Sequence, residues 1–380
     1  MNPTSSASTE TPSSVAPRLN GAIAADSSIC LLSAEDDRLA YRGYDVADLA
    51  RRASYEETAF LLLRGRLPRR PELRDFEREL RGARRLPREV AALVRRAAAP
   101  GAAPMAVLRT AVSALGVTPR EPPDPGADGT ALLAQIPVLV AAIYRVQRGE
   151  RPLTPKPRLG LAAGFLYLLH EREPDPELAR AFDAALMLRA DNELNPSTFA
   201  ARVTAATRAD MHGCITAAIA ALAGPQHGGH SLSAYRLLAE IGTADRVAAV
   251  VARRVAEARG VPGFGHPVYR GEDPRTAPMR EAAAAACEVA RGGDWFRLAR
   301  AVEDRARAAT GKYANVDFYL APLYRALGIP PELFTPVFAI GRIAGWAAHV
   351  LEQYGQEGLI RPRAAYVGPR AEEFRPLARR

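Results

Sequence analysis

Pro262-Gly263-Phe264-Gly265-His266-Pro267-Val268-Tyr269-Arg270-Gly271-Glu272-Asp273-Pro274-Arg275 sets one histidine, two arginines and two acids in a segment too rich in glycine and proline for a helix. Proline restricts φ and glycine releases it, so this density fixes a loop. A loop that presents His and Arg together suits an anionic, oxygen-rich ligand. Arginine offers a planar fork of donors, and histidine can give or take a proton. A solvated Arg-rich turn after a helix fits the same composition, so the choice rests on the rest of the chain.

On either side of this loop the pattern is helical. Thr243 is placed to N-cap a helix that runs to Arg259 and stops at Gly260. Downstream, helices are expected at about 278–290 and 295–309, followed by Tyr313-Ala314-Asn315-Val316-Asp317-Phe318-Tyr319. Thr335-Pro336 reads as a cap with proline at the first helical position, opening a helix to Tyr354. Arg342, Trp346 and His349 are spaced i, i+4 and i+7 and share one face of it. Toward the N-terminus, the apolar runs around the acidic turn Glu35-Asp36-Asp37 predict a small β-hairpin over 28–42. The next segments alternate helical patterns with breaks, including a Pro/Gly/Asp-rich loop at 119–129 and helices at 131–148, 183–193 and 198–207. There is no internal repeat. The fold class is all-α, mainly helical, with a minor β-hairpin near the N-terminus.

The 380 residues allow two domains or one large domain with an inserted lobe. Apolar residues at 48% support a sizeable core, while aromatics at 7% and abundant alanine favour closely packed helices over a β-sandwich. The net charge is +9, yet the arginines are spread along the whole chain, with lysine only at 156 and 312. That is a compositional habit and not a patch for nucleic acid, although a diffuse positive field assists capture of a small polyanion. Cys30, Cys214 and Cys287 lie far apart without metal spacing and read as reduced, mostly buried thiols. No run approaches the length of a membrane span. The Ser/Thr/Pro/Ala-rich residues 1–26 read as a disordered tail without a secretory or transit pattern, so a cytoplasmic location is expected.

Three short segments set a functional group among small, tightly turning neighbours. In Gly224-Pro225-Gln226-His227-Gly228-Gly229, a helix stop and paired glycines let the backbone beside His227 approach a ligand closely. Gly265-His266 repeats the arrangement. In Asn315-Val316-Asp317 an acid follows a helix end. Taken singly, each also reads as structure: a hydrogen-bonded core histidine twice, and a helix-capping aspartate. No ligand spacing for zinc is present, and no metal is expected.

Together these segments resemble the citrate synthase family, and the resemblance runs from about Ser28 to Leu377. Its most specific piece is the loop quoted first, from Gly263-Phe264-Gly265-His266 through Asp273-Pro274-Arg275. Tyr41-Arg42-Gly43-Tyr44-Asp45, Leu108-Arg109-Thr110, Asn195-Pro196-Ser197-Thr198, Gly224 to Gly229, Asn315-Val316-Asp317-Phe318-Tyr319, Arg342-Ile343-Ala344-Gly345-Trp346 and Arg361-Pro362-Arg363 support it. The resemblance implies a two-domain helical homodimer, with 27–228 and 331–380 as the large domain and 229–330 as the small one. It implies a tricarboxylic acid cycle reaction in which acetyl-CoA condenses with oxaloacetate and the thioester is hydrolysed, with acetyl-CoA as substrate and no separate cofactor. By matching positions, Asp317 is the base for the methyl proton, His227 donates to the thioester oxygen and His266 polarises the oxaloacetate carbonyl. Arg275, Arg342 and Arg361 hold carboxylates, Arg361 from the other subunit, and Arg270 meets a CoA phosphate.

The chain departs from the family at one wall. Where the family reads His-x-Asp-His-Glu, this sequence has Arg189-Ala190-Asp191-Asn192-Glu193. On the expected helix, 189 and 192 share a face, so the two changes alter one wall of the oxaloacetate site together. Arg189 either clamps a carboxylate in a new geometry or fills the pocket. Ala103-Pro104-Met105, His230-Ser231 and Leu320 also differ from the usual pattern. Three readings follow: a citrate synthase with a modified acceptor wall, a 2-methylcitrate synthase or another acyl-CoA/2-oxo acid condensing enzyme, and a weakly active or non-catalytic binding or regulatory relative.

Overall fold

The computed structural model describes residues 23–369 and 373–379; most of the expected tail, residues 1–22, lies outside them. Ser27–Gly358 forms one compact unit. The described residues before Ser27 and after Gly358 belong to a second unit, largely exposed and without helix or strand apart from a short 3-10 turn, Leu377–Arg379.

The expected hairpin is present. Strand β1 (Cys30–Ser33) pairs antiparallel with β2 (Arg38–Tyr41), in the register Cys30 to Tyr41 and Ser33 to Arg38. A third short strand, β3 (Tyr44–Asp45), adds to β2. The link is Arg42-Gly43, with φ of +49° and +89°. Two positive φ values make the tight turn whose twist matches a hairpin. Everything else in the compact unit is helix or connection.

The core is built on helix Phe334–Tyr354, buried along nearly its whole length. It packs against Pro125–Gln147, Pro196–Ala206, Met211–Leu222 and Tyr55–Arg64. Small residues on this helix let other chain segments come close. At Gly345 an added Cβ would lie 2.3 Å from the carbonyl oxygen of Ala190 and 2.4 Å from Asp191 Oδ1. The Gly345 N–H donates to that same carbonyl at 3.1 Å, so the contact is a bond as well as a fit. Pro125–Gln147 and Pro331–Tyr354 are long and apolar enough to cross a bilayer, but 78% and 94% of their apolar stretches are buried inside the protein. Both are core helices, in which Arg, His, Gln and Pro interrupt the apolar run.

Four expectations change. The loop read at 119–129 is in part helix, because Asp124 caps at Ala127 and Pro125 takes the first helical position. Thr243 makes no side-chain cap; a 3-10 turn, Ala244–Arg246, precedes helix Val247–Ala256. Thr335 does not cap either, because a 3-10 turn, Pro331–Leu333, runs straight into the helix and the Thr335 hydroxyl donates to the carbonyl of Gly228 at 3.0 Å. Finally, the helix read at 183–193 is Pro176–Leu188, opened by an Asp175 cap with proline behind it. Arg189 closes this helix and Asn192 lies beyond it, so the two do not share a helix face. The stop has a cause: Asp191 is drawn into the core, Glu193 takes a φ of +53°, and Asn195-Pro196 starts the next helix.

Candidate active site

The quoted loop is fastened to the segment before Asp317. Gly265 N–H donates to the carbonyl of Tyr313 at 2.8 Å, and Asn315 N–H donates to that of Gly263 at 2.9 Å. Phe264 and Ala314 form an antiparallel bridge, and the Asn315 side chain donates to the carbonyl of Gly265 at 2.8 Å. Gly263 is required here: its φ is +85°, and an added Cβ would lie 2.8 Å from the Phe318 Cβ. The other end is tied by Asp273. Its carboxylate accepts from the backbone N–H, Nε and Nη2 of Arg275 at 2.9–3.0 Å, and from Val316 N–H at 3.3 Å. Burial works against the charge of Arg275, and Asp273 more than offsets it.

His266 Nδ1 accepts two backbone N–H groups, from Val268 at 3.1 Å and Tyr269 at 3.3 Å. Nδ1 is therefore unprotonated and the ring hydrogen sits on Nε2. That Nε2 lies 3.5 Å from Nη2 of Arg275. Two donors so close are placed to meet one acceptor oxygen together. Burial and the Arg275 charge lower the His266 pKa to about 4, so the ring is neutral near pH 7.

Asp317 occupies the first turn of helix Val316–Ala326, with Asn315 capping its N–H at 3.1 Å. A helix start favours a carboxylate in its ionised form. The dominant contact comes from Arg189, whose Nη1 is 2.6 Å from Asp317 Oδ1. Burial raises the acid's pKa, but Arg189 in particular outweighs it and holds Asp317 below the usual carboxylate range. The guanidinium of Arg189 also lies flat over Phe338, 3.5 Å from the ring centroid, with Arg342 on the same ring at 4.8 Å. Of the two expectations for Arg189, the structure favours neither a free carboxylate clamp nor an inert plug: it is an ion-pair partner of the expected base.

His227 sits on the four-residue turn Pro225–Gly228, and its Nε2 is 2.7 Å from the hydroxyl of Ser197. Ser197 also receives the indole N–H of Trp346 at 3.1 Å and lies 2.7 Å from Asn195 Oδ1. The single Ser197 hydroxyl hydrogen goes to Asn195 Oδ1, so Nε2 of His227 donates to Ser197 Oγ; only when that hydroxyl turns from Asn195 to Nε2 does the ring hydrogen move to Nδ1, which can then donate outward. Burial, with Arg342 and Arg189 adding to it, lowers the His227 pKa to about 4. His227 and His266 both feel the charge of Asp317, so the three candidate groups share one neighbourhood.

The shared face of the central helix docks on the 189–197 segment. Arg342 Nε donates to the carbonyl of Arg189 at 2.7 Å, Trp346 bonds Ser197, and His349 Nε2 is 3.3 Å from Asp191 Oδ2. Among the described residues, four buried polar atoms of this wall have no hydrogen-bond partner: Arg189 Nε, Asp191 Oδ1, Asn192 Oδ1 and Arg342 Nη1. Buried polar atoms are normally paired, so this wall is suited to a polar ligand.

A cleft of about 440 Å³ opens beside His266, between Tyr269, Arg270, Lys312 and Tyr313. The backbone N–H groups of Arg270 and Gly271 both donate to the Asp37 carboxylate at 2.9 Å, which pins the loop to the hairpin turn. The Arg270 side chain is exposed, as is Lys312, and among the described residues neither is in an ion pair. Arg361 belongs to the second unit, where it is exposed.

Residues 18–363 match the profile of the citrate synthase C-terminal domain. The chain belongs to the citrate synthase family. It is 40% identical over 367 residues to citrate synthase 2 of Bacillus subtilis, covering 95% of this chain and 98% of that one. Among solved structures, the citrate synthase of Pyrobaculum aerophilum superposes with a TM-score of 0.87 at 36% identity, over 95% of this chain and 94% of that one. A citrate synthase of Thermoplasma acidophilum, solved as a ternary complex with carboxymethyl coenzyme A and oxaloacetate, gives 0.86 at 29% identity, over 95% and 98%. Within this citrate synthase fold, sequence reasoning missed Ser197 and Phe338 as parts of the site. Phe338 lies one turn before Arg342, so the spacing that united Arg342, Trp346 and His349 extends to it.

Proposed function

We propose that this chain is a condensing acyltransferase that joins the acetyl group of acetyl-CoA to the keto carbon of oxaloacetate and hydrolyses the thioester, giving citrate and CoA. The observation that carries this reading is the fastening of 263–265 to 313–315, which holds an acceptor-side donor, His266, beside a carboxylate, Asp317.

A thioester methyl is a weak carbon acid. Deprotonation by a carboxylate needs the charge arising on oxygen to be met at once by a fixed donor. Asp317 takes the methyl proton, and His227 donates to the enolate oxygen from Nδ1 once the Ser197 hydroxyl has turned from Asn195 to its Nε2. The enolate carbon then attacks the keto carbon, and Nε2–H of His266 with Arg275 stabilises the oxygen that becomes the alcohol. Arg275 and Arg342 meet the acceptor carboxylates, since paired donors suit carboxylate geometry. Water then cleaves the citryl thioester, releasing CoA. Arg270, with Lys312 beside it, offers positive charge to the CoA phosphates.

On the same reading the working unit is a cytoplasmic homodimer in the tricarboxylic acid cycle, with Arg361 completing a neighbouring subunit's carboxylate clamp. Residues 229–330 are the smaller lobe, which closes over the substrates and excludes water.

The test is thiol release by purified protein with oxaloacetate and either acetyl-CoA or propionyl-CoA. Release with acetyl-CoA is expected to be the faster. A propionyl-CoA preference would turn the reading to 2-methylcitrate formation, and no release with either would overturn it. Asp317→Asn is expected to abolish turnover while leaving oxaloacetate binding largely intact.

A further inference from the structure

We propose that Arg189 is a positioning residue for the proton-abstracting carboxylate: it grips Oδ1 of Asp317 and leaves Oδ2 as the atom that takes the methyl proton. This rests on the condensing reading above and concerns a residue in which the chain departs from its family pattern.

The grip is one-sided. Nη1 of Arg189 lies 2.6 Å from Oδ1, while among the described residues Oδ2 receives no hydrogen bond. The Arg189 side chain is 5% exposed and that of Asp317 18%, so the acid is less enclosed than the arginine that grips it. The arm that holds it is fixed at several points. Its plane lies on Phe338, its carbonyl receives the Arg342 Nε–H, and its own N–H closes the preceding helix on Leu186. A guanidinium held this way cannot swing to a substrate carboxylate without giving up the stacking. It orients an acid instead.

In the step itself, the methyl C–H bond breaks and its proton passes to Oδ2. The electron pair moves into the enolate, whose oxygen His227 meets. Pairing with Arg189 makes Asp317 a weaker base, and the fixed geometry offsets that loss, because misplacing a reacting group by about 1 Å costs on the order of 100-fold. The other groups facing Asp317 are His227, His230, His266 and Arg275 from neighbouring segments, and Tyr324 on its own helix.

The experiment compares the full-length wild type with Arg189→Ala and Arg189→Lys. One readout is the 13C titration of aspartate carboxyls, with Asp317 assigned by Asp317→Asn. The other is the pH profile of thiol release with acetyl-CoA and oxaloacetate. Arg189→Ala is expected to move the Asp317 resonance and the acid limb of kcat toward higher pH. It should lower kcat about 100-fold, with KM for oxaloacetate changed less than about threefold. Arg189→Lys keeps a charge and is expected to restore part of both. Should the alanine variant not fold, the lysine variant carries the same two readouts with a smaller shift in the same direction. A rise in KM for oxaloacetate at unchanged kcat, or an Asp317 resonance that stays in place, overturns the role of Arg189 alone. A wild type that releases no thiol while its Asp317 resonance still responds to Arg189→Ala overturns the condensing reaction and leaves the ion pair standing.

Discussion

Arg342 gives its Nε–H to the backbone carbonyl of Arg189 at 2.7 Å, so one buried arginine of the central helix sets the position of another. Arg342 is 2% exposed, and burial lowers its pKa to about 10, with Asp191 opposing the shift. It remains charged at neutral pH, and among the described residues Nη1 has no hydrogen-bond partner, which leaves it to an anion. Arg342→Leu removes both the anchor and the charge. The expected outcome is a rise in KM for oxaloacetate of about 10- to 100-fold, the range for losing one charge-assisted hydrogen bond. Steady-state kinetics with saturating acetyl-CoA checks it. An unchanged KM would place the carboxylate elsewhere.

The single hydrogen of the Ser197 hydroxyl, given to Asn195 Oδ1 in this structure, sets the His227 tautomer: turned to Nε2 instead, it moves the ring hydrogen to Nδ1. Ser197→Ala leaves Trp346 without its acceptor and frees the imidazole to take either tautomer. kcat is expected to fall about 10- to 100-fold, as for a lost transition-state donor, with KM for acetyl-CoA nearly constant. Ser197→Thr, which keeps the hydroxyl, should restore most of the rate if its methyl fits. Equal losses in the two variants would make the role one of packing.

The pH dependence has a definite sign. His227 and His266 have pKa values of about 4 in the folded state, below the ordinary value of 6.5. Above pH 6.5 both states hold the rings neutral and nothing is lost. As pH falls from 6.5 toward 4, the unfolded chain binds protons that the folded one refuses, and stability declines. Below 4 the loss is complete and constant. Melting curves at pH 7 and pH 4.5 test this. The drop in Tm between them should be smaller in His227→Gln and in His266→Gln than in the wild type, because glutamine does not titrate. A drop of the same size would show that the two rings are not the source.

Gly345→Ala places a methyl 2.3 Å from the Ala190 carbonyl oxygen, and the obstacle is backbone, which cannot rotate away. Overpacking of this kind costs about 1–3 kcal/mol. Urea unfolding should show that loss with an unchanged slope, together with a raised KM for oxaloacetate, since the displaced segment carries Asn192 and the backbone carbonyl that anchors Arg342. A neutral variant would mean that the 189–192 loop is not held by this contact.

Much of this was legible in the sequence, for local reasons. The Gly/Pro density at 262–275 fixed a loop, and the i, i+4, i+7 spacing of Arg342, Trp346 and His349 correctly put all three on one face, which the structure docks on the 189–197 segment. What stayed hidden depended on contacts between distant segments. Arg189 and Asn192 were read as one helix face because nothing in 183–193 breaks helical periodicity; the break comes from burial of Asp191 against His349, 158 residues away. The Arg189–Asp317 pair spans 128 residues and leaves no local trace. Thr335 looked like a cap because Thr-Pro usually is one, yet its hydroxyl was needed at Gly228.

The pairing of 263–265 with 313–315 has a consequence for how this protein can change. His266 and Asp317 ride on one fastened piece, held largely by backbone hydrogen bonds, so that most side-chain substitutions outside Gly263 leave it in place. The opposite wall, from Arg189 to Asn192, belongs to a separate stretch attached through the central helix. Mutation can therefore redraw one wall while the other keeps its spacing, and a change in the first reaches the chemistry through side-chain contacts such as the pair of Arg189 with Asp317. The two positions at which the expected family histidines are absent, Arg189 and Asn192, both lie on the wall that can be redrawn.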